Sequence, residues 1–167
     1  MNTIKIFLAS SSELVDDRKA LREFISVEND RLHEENIYIK ILQWEYFIDH
    51  MSQESLQAEY NKAVEQCDIF LSLFFTKVGK YTTEEFDKAF GRFKEIGKPF
   101  IYTYFRDSNI TTSKINKSDI ISKFDFEEKL ADLGHFKTNY TDINDLKYKF
   151  KTQLDILIPE IIKQRNV

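Results

Sequence analysis

The sequence is poor in the residues that staple and punctuate small proteins. Its one cysteine, Cys67, rules out an intramolecular disulfide and makes a reducing compartment the natural setting. Four glycines and two prolines in 167 residues are too few for an all-β fold built on many tight turns. No apolar run approaches the length of a membrane span, and the apolar part of Met1–Leu8 is too short for a signal peptide. A basic excess is also missing. The formal net charge is −4, with Lys and Arg scattered among Asp and Glu, so nothing forms the basic stripe of a nucleic-acid binder. No GxGxxG or P-loop motif occurs. The three histidines, His33, His50 and His135, show no metal-ligand spacing. The expectation is a cytoplasmic protein with no membrane, nucleic-acid or metal partner and no resident cofactor.

What is present suffices for one core. Hydrophobic residues make up 42%, with 15 Phe and 8 Tyr, which argues against disorder. Residues 1–167 read as a single domain, one that a longer multidomain protein could carry. Strand-like runs are Ile4–Ala9, Ile37–Trp44, Asp68–Phe75, Phe100–Phe105 and an edge segment Phe136–Tyr140. Between them apolar residues recur at helical spacing. One helix follows Ser10–Glu13, one follows Ser52, one starts near Thr82 and stops at Gly97-Lys98-Pro99, a short one covers Phe124–Leu130, and the last begins at Asp142. Residues 107–119 read as a surface loop, and Pro159 as a kink near the end of the last helix. Strands that alternate with helices pair in parallel through crossovers. The predicted fold is α/β: a flavodoxin-like, doubly wound parallel sheet of about five strands flanked by helices.

Such sheets bind ligands outside the carboxyl ends of their strands, at the reversal in strand order. That rule selects three loops. Ala9–Ser12 brings Ser10 and Ser11, suited to a phosphate. Trp44–Met51 brings Trp44, Tyr46 and Phe47, flat faces for a base or ring. Phe75–Glu85 brings Glu84 and Glu85. Each has a plainer reading. Ser10 and Ser11 are good helix caps, Trp44 can be a core aromatic, and Tyr46 and Phe47 can belong to a protein surface. Thr82 and Glu85 fit a capping box. Arg18 reads as a solvated helix residue, with a phosphate role as the alternative, and Cys67 as buried packing.

The order IFLASSSEL, WEYF, CDIFLSLFF and YTTEEFDKAF resembles the TIR domain superfamily across roughly residues 4–105. It is particularly similar to a bacterial group marked here by Ser10, Ser11, Glu13, Leu14 and Arg18. The resemblance implies an enzyme that splits NAD⁺, as substrate, into nicotinamide and linear or cyclic ADP-ribose. The family pattern W-x-x-x-E-x-x-x-A falls on Tyr81, Glu85 and Ala89, with Tyr in place of Trp. Glu85 is then the catalytic residue and Glu84 the fallback, while Ser10, Ser11, Trp44, Tyr46, Phe47 and Tyr81 line the substrate. The resemblance further implies activation by self-association, a fused or associated sensor such as a cyclic-nucleotide receptor, and a role in bacterial anti-phage defence. Two other functions fit the same residues: a non-catalytic TIR scaffold for protein assembly, and a nucleoside deoxyribosyltransferase-like enzyme.

Overall fold

The computed structural model describes residues 1–42 and 53–165. Five strands form one sheet: β1 (Asn2–Ser10), β2 (Ile37–Leu42), β3 (Ile69–Phe74), β4 (Phe100–Arg106) and β5 (Lys137–Tyr140). They stand in the order β2-β1-β3-β4-β5, and every neighbouring pair is parallel. Parallel neighbours cannot be joined by a tight turn, so helices carry each crossover: α1 (Val15–His33), α2 (Gln53–Gln66), α3 (Lys80–Ile96) and α4 (Lys117–Asp132), with α5 (Ile143–Arg165) closing the chain. This is the flavodoxin-like arrangement predicted from the alternation of elements, with the strand order reversing between β1 and β3.

Two cores fill the two faces of the sheet, and the period of two along each strand divides them. Ile4, Ile6 and Leu8 of β1 pack with Leu21 and Ile25 of α1 and Phe150, Leu154 and Ile161 of α5. Phe7 and Ala9 point the other way, toward Tyr60 and Val64 of α2, Phe86 and Ala89 of α3 and Phe126 of α4. β3, central and covered on both sides, is buried at all six residues, which is why its sequence shows no polar alternation. The second core is aromatic: Phe7 stacks on Phe70 at 5.5 Å, and Phe86 meets Phe126 edge-to-face at 5.2 Å. Truncating Phe70 to alanine there costs about 3–5 kcal/mol.

Several boundaries differ from those the sequence predicted. β2 is described from Ile37 to Leu42, and the predicted extension through Gln43 and Trp44 lies outside the described residues. Helix α4 spans 16 residues instead of a short segment. Its start is fixed by Asn116, whose side chain accepts from the backbone N–H groups of Ser118 and Asp119 at 2.9 and 3.3 Å. Polar composition around residues 116–119 hid that cap. Phe136 lies outside β5 and is 92% exposed. Pro159 sits inside α5, which runs on to Arg165. Helix α3 ends where predicted, at Gly97, whose φ of 73° is the left-handed C-terminal stop that glycine adopts without strain.

The free edge of β2 is closed from within the chain. The Asn29 side chain donates to the Ile39 carbonyl at 2.9 Å and accepts from the Ile39 N–H at 2.7 Å. A helix side chain thus satisfies the rung a further strand would take.

Candidate active site

Because β1 and β3 are neighbours, the loops that leave their carboxyl ends meet. The Ser11 N–H donates to the Leu73 carbonyl at 3.3 Å, and Glu13 ties the two loops further. Its carboxylate accepts from the Thr76 N–H at 2.7 Å, the Thr76 hydroxyl at 2.5 Å, the Lys77 N–H at 3.3 Å and the Ser11 hydroxyl at 3.2 Å. A charged acceptor with this many donors is a strong local clasp.

The serines do not cap α1. A 3₁₀ turn, Ser12–Leu14, intervenes after Ser11 with no side-chain capping bond. Their hydroxyls serve the loop instead. Arg18, expected on the solvated face, is only 3% exposed. Its Nη1 donates to Ser10 Oγ at 2.6 Å and to the Ser11 carbonyl at 3.1 Å. Arg18 therefore holds the loop from behind instead of facing a ligand. Burying its guanidinium is tolerable because polar acceptors meet it.

Next to it on α1 lies Asp17, fully buried and unremarked in the sequence. It accepts from Tyr140 Oη at 2.6 Å and from Arg106 Nη1 at 2.8 Å. The ends of β4 and β5 are thereby fastened to α1. Burial, then the neighbouring Asp17, pushes the Tyr140 phenol well above its ordinary value, so it remains a donor. A buried aspartate reads in sequence as one more surface charge; only the pairing of three distant segments gives it a role.

Glu85 stands on the other face of the sheet. Helix α3 begins at Lys80 with Gly79 as its N-cap, and the Thr83 hydroxyl bonds back to the Gly79 carbonyl at 3.2 Å. The capping-box reading of Thr82 and Glu85 is therefore wrong: Thr82 already lies in the helix, and Glu85 occupies its second turn. At 1.5 Å per residue it sits about 7.5 Å along the axis from Lys80. Phe86 and Ala89 fill the core beside it. The Glu85 side chain is 8% exposed and accepts no hydrogen bond among the described residues. Burial foremost, then the charge of Glu84, pushes its carboxyl up to about 7, against a smaller opposing pull from Lys88. Glu84 itself is half-buried.

Trp44, Tyr46 and Phe47 lie outside the described residues, as does the side chain of Tyr81, whose backbone is in the first turn of α3. No hydrogen bond joins Glu85 to Ser10 or Ser11 among the described residues. Cys67 is buried, donates to the Val64 carbonyl at 3.1 Å, and has its thiol pushed up to about 12 by burial; it is packing, as expected. His135 pairs through Nε2 with Thr103 Oγ1 at 3.0 Å. Among the described residues no three His, Cys, Asp or Glu side chains are grouped to hold a metal, and no helix is long and apolar enough to cross a membrane. A separate groove of about 680 Å³, lined by Phe90, Tyr102, His135 and Tyr148 among others, opens between α3 and α5.

No protein-family model and no curated protein matches the chain. Solved structures do. One is the Clostridium botulinum CMP N-glycosidase BcmB, 15% identical, with 89% of this chain and 98% of that one covered and a TM-score of 0.53. Another is the TIR domain heterodimer of RPS4 and RRS1, 9% identical, with 92% and 96% covered and a TM-score of 0.46. These likenesses concern the fold. The fold the chain shares with BcmB is flavodoxin-like α/β, with five parallel strands in the order β2-β1-β3-β4-β5.

Proposed function

We propose that the chain is an N-glycosidase that breaks the bond between a base and the ribose of a nucleotide, with NAD⁺ as substrate and Glu85 as its catalytic carboxylate. The observation that carries this reading is Glu85 itself. Once the capping role is removed, a carboxyl buried without a hydrogen bond in the second turn of α3 has no structural task, and such a group is costly to keep. Support of a second kind comes from the fold, which BcmB, described as a CMP N-glycosidase, shares over nearly its whole length.

The chemistry asks for little else. In NAD⁺ the C1′–N bond breaks with its electron pair going to the pyridinium nitrogen, so nicotinamide leaves neutral. The ribosyl oxocarbenium ion left behind is stabilised by a carboxylate alongside. Water then adds at C1′, and its proton passes to Glu85, giving ADP-ribose. A cation next to Glu85 favours its ionised form, so substrate binding works against the burial that raises its pKa.

A cytidine nucleotide is the second reading, favoured by the neighbour's described activity. Cytosine is a poorer leaving group and gains from protonation as it departs, which calls for Glu85 in its acid form. The two readings predict opposite pH profiles. With NAD⁺, kcat/KM rises as pH passes upward through about 7, the value to which Glu85 is raised. With CMP it falls over the same interval.

The deciding experiment incubates concentrated protein with NAD⁺, CMP or a pair of deoxynucleosides and measures nicotinamide, cytosine or base exchange by chromatography. Nicotinamide release that disappears in Glu85→Gln, with thermal unfolding retained, supports the proposal. A steeper than linear rise with protein concentration supports activation by self-association. Absence of any cleavage in protein that still assembles points to the scaffold, and base exchange to the transferase.

A further inference from the structure

We infer that Arg106 is the anchor for a phosphate of the substrate, which rests on the N-glycosidase reading and names the part of the ligand that the α1 side of the edge receives. Arg106 is the last residue of β4, and its side chain is 29% exposed. The guanidinium is held from three directions. Nη1 donates to Asp17 Oδ1 at 2.8 Å, Nε donates to Ser108 Oγ at 3.2 Å, and the Phe75 ring lies 5.6 Å from Cζ. Asp17 is fixed in turn by Tyr140 Oη at 2.6 Å. Nη2 has no partner among the described residues. A planar cation held on its inner side, with an outward amino group unspent, is preorganised to meet an oxyanion.

The other groups that sequence offers to a phosphate are engaged elsewhere. Arg18 turns inward to Ser10 and Ser11. The Ser11 hydroxyl donates to Glu13 and the Ser10 hydroxyl to the Ser11 carbonyl. Glu13 also sets a negative charge across the mouth of the serine loop, which repels an anion there. Arg106 stands beyond β3, about 10 Å from β1 across the edge, and brings a positive charge there. β4 adjoins β3, the strand from which α3 and Glu85 depart. A nucleotide with its ribose at Glu85 then reaches back across the strand ends to place its phosphate on Arg106.

The test uses the full chain carrying Glu85→Gln, so that ligands survive, and calorimetric titration with four probes: NAD⁺ and CMP, and the phosphate-free nicotinamide riboside and cytidine. Adding Arg106→Gln is expected to weaken the phosphate-bearing substrate at least about tenfold and to change its phosphate-free counterpart less than twofold. Arg106→Lys should recover part of the loss. Because Arg106→Gln strands the buried Asp17, an Asp17→Asn/Arg106→Gln variant with unchanged unfolding must show the same pattern. Equal losses for both ligands of a pair, or no loss, overturn the assignment. Titration with inorganic pyrophosphate separates the two proposals. If the wild-type chain cleaves no N-glycoside yet binds pyrophosphate only with Arg106 intact, the anchor stands and the N-glycosidase reading fails.

Discussion

The two ends of the sheet treat their charges differently. At the amino end, Asp68 is satisfied on every side. Arg165 Nη2 donates to both its oxygens at 2.7 Å, and the Lys5 N–H donates to Oδ2 at 2.8 Å. Arg165 also reaches the Thr3 carbonyl at 2.8 Å. The last turn of α5 is so bolted to the start of the sheet. At the carboxyl end, Glu85 is as deeply buried but accepts nothing among the described residues, and Arg106 is spent on its inner side only. Both ends hold buried charge; the amino end completes Asp68, whereas the carboxyl end completes Asp17 and leaves Glu85 open. Completed pairs fix a fold, while open ones cost stability unless a ligand completes them.

That contrast can be broken by mutation. The largest expected effect is on chemistry: Glu85→Gln should lower N-glycoside cleavage roughly 10³-fold, measured as product release under saturating substrate, with the fold intact. Next, Asp68→Ala should lower the unfolding free energy by about 2–3 kcal/mol in urea titration, through the lost hydrogen bonds to its carboxylate, and leave kcat/KM unchanged, since Asp68 lies at the opposite end of the sheet. A comparable loss of activity at constant KM would undo the division between the two ends.

A third effect has the opposite sign from the second. The Glu85 carboxyl is raised to about 7 by burial, so the folded state binds its proton more tightly than the unfolded chain does. Stability from this group is present below the ordinary carboxylate range and is lost as pH rises through about 7. Glu85→Gln should therefore stabilise the protein at pH 8, by roughly 2 kcal/mol, and leave it nearly unchanged at pH 4. The difference is read from unfolding curves at the two pH values, and equal curves at pH 8 would remove the open-charge description of Glu85. The smallest effect is expected for Glu13→Gln. It keeps an acceptor for Thr76 but removes the charge, at about 1 kcal/mol.

Much of this architecture was legible in the residues. The apolar run from Ile69 to Phe74 could only be a central strand, and the helical spacing of Leu21, Phe86, Phe150 and their neighbours located the helices. Glu85 was legible as a position, through its place after the third strand, but its surroundings were not. The Thr82–Glu85 spacing suited a capping box, yet the N-cap of α3 lies three residues earlier, at Gly79, whose backbone is extended and whose carbonyl accepts from the Thr83 hydroxyl. Local pattern matched two registers, and tertiary packing of Phe86 selected one. Arg18, Asp17 and Arg106 were illegible for a different reason. Charged residues are mostly solvated, and what engages these three is tertiary: Arg18 turns back onto the β1 loop, while Asp17 joins Arg106 and Tyr140, the latter 123 positions away. No periodicity within one element records such a meeting.

Asn29 sets a rule for how copies of this chain can gather. Its amide sits on the Ile39 rung of β2, so a neighbour seeking to lengthen the sheet on that flank must first evict a side chain already making both bonds. Continuous ribbons grown through β2 are thereby disfavoured. Clustering that raises activity would then run through helical faces, loops or the opposite edge at β5.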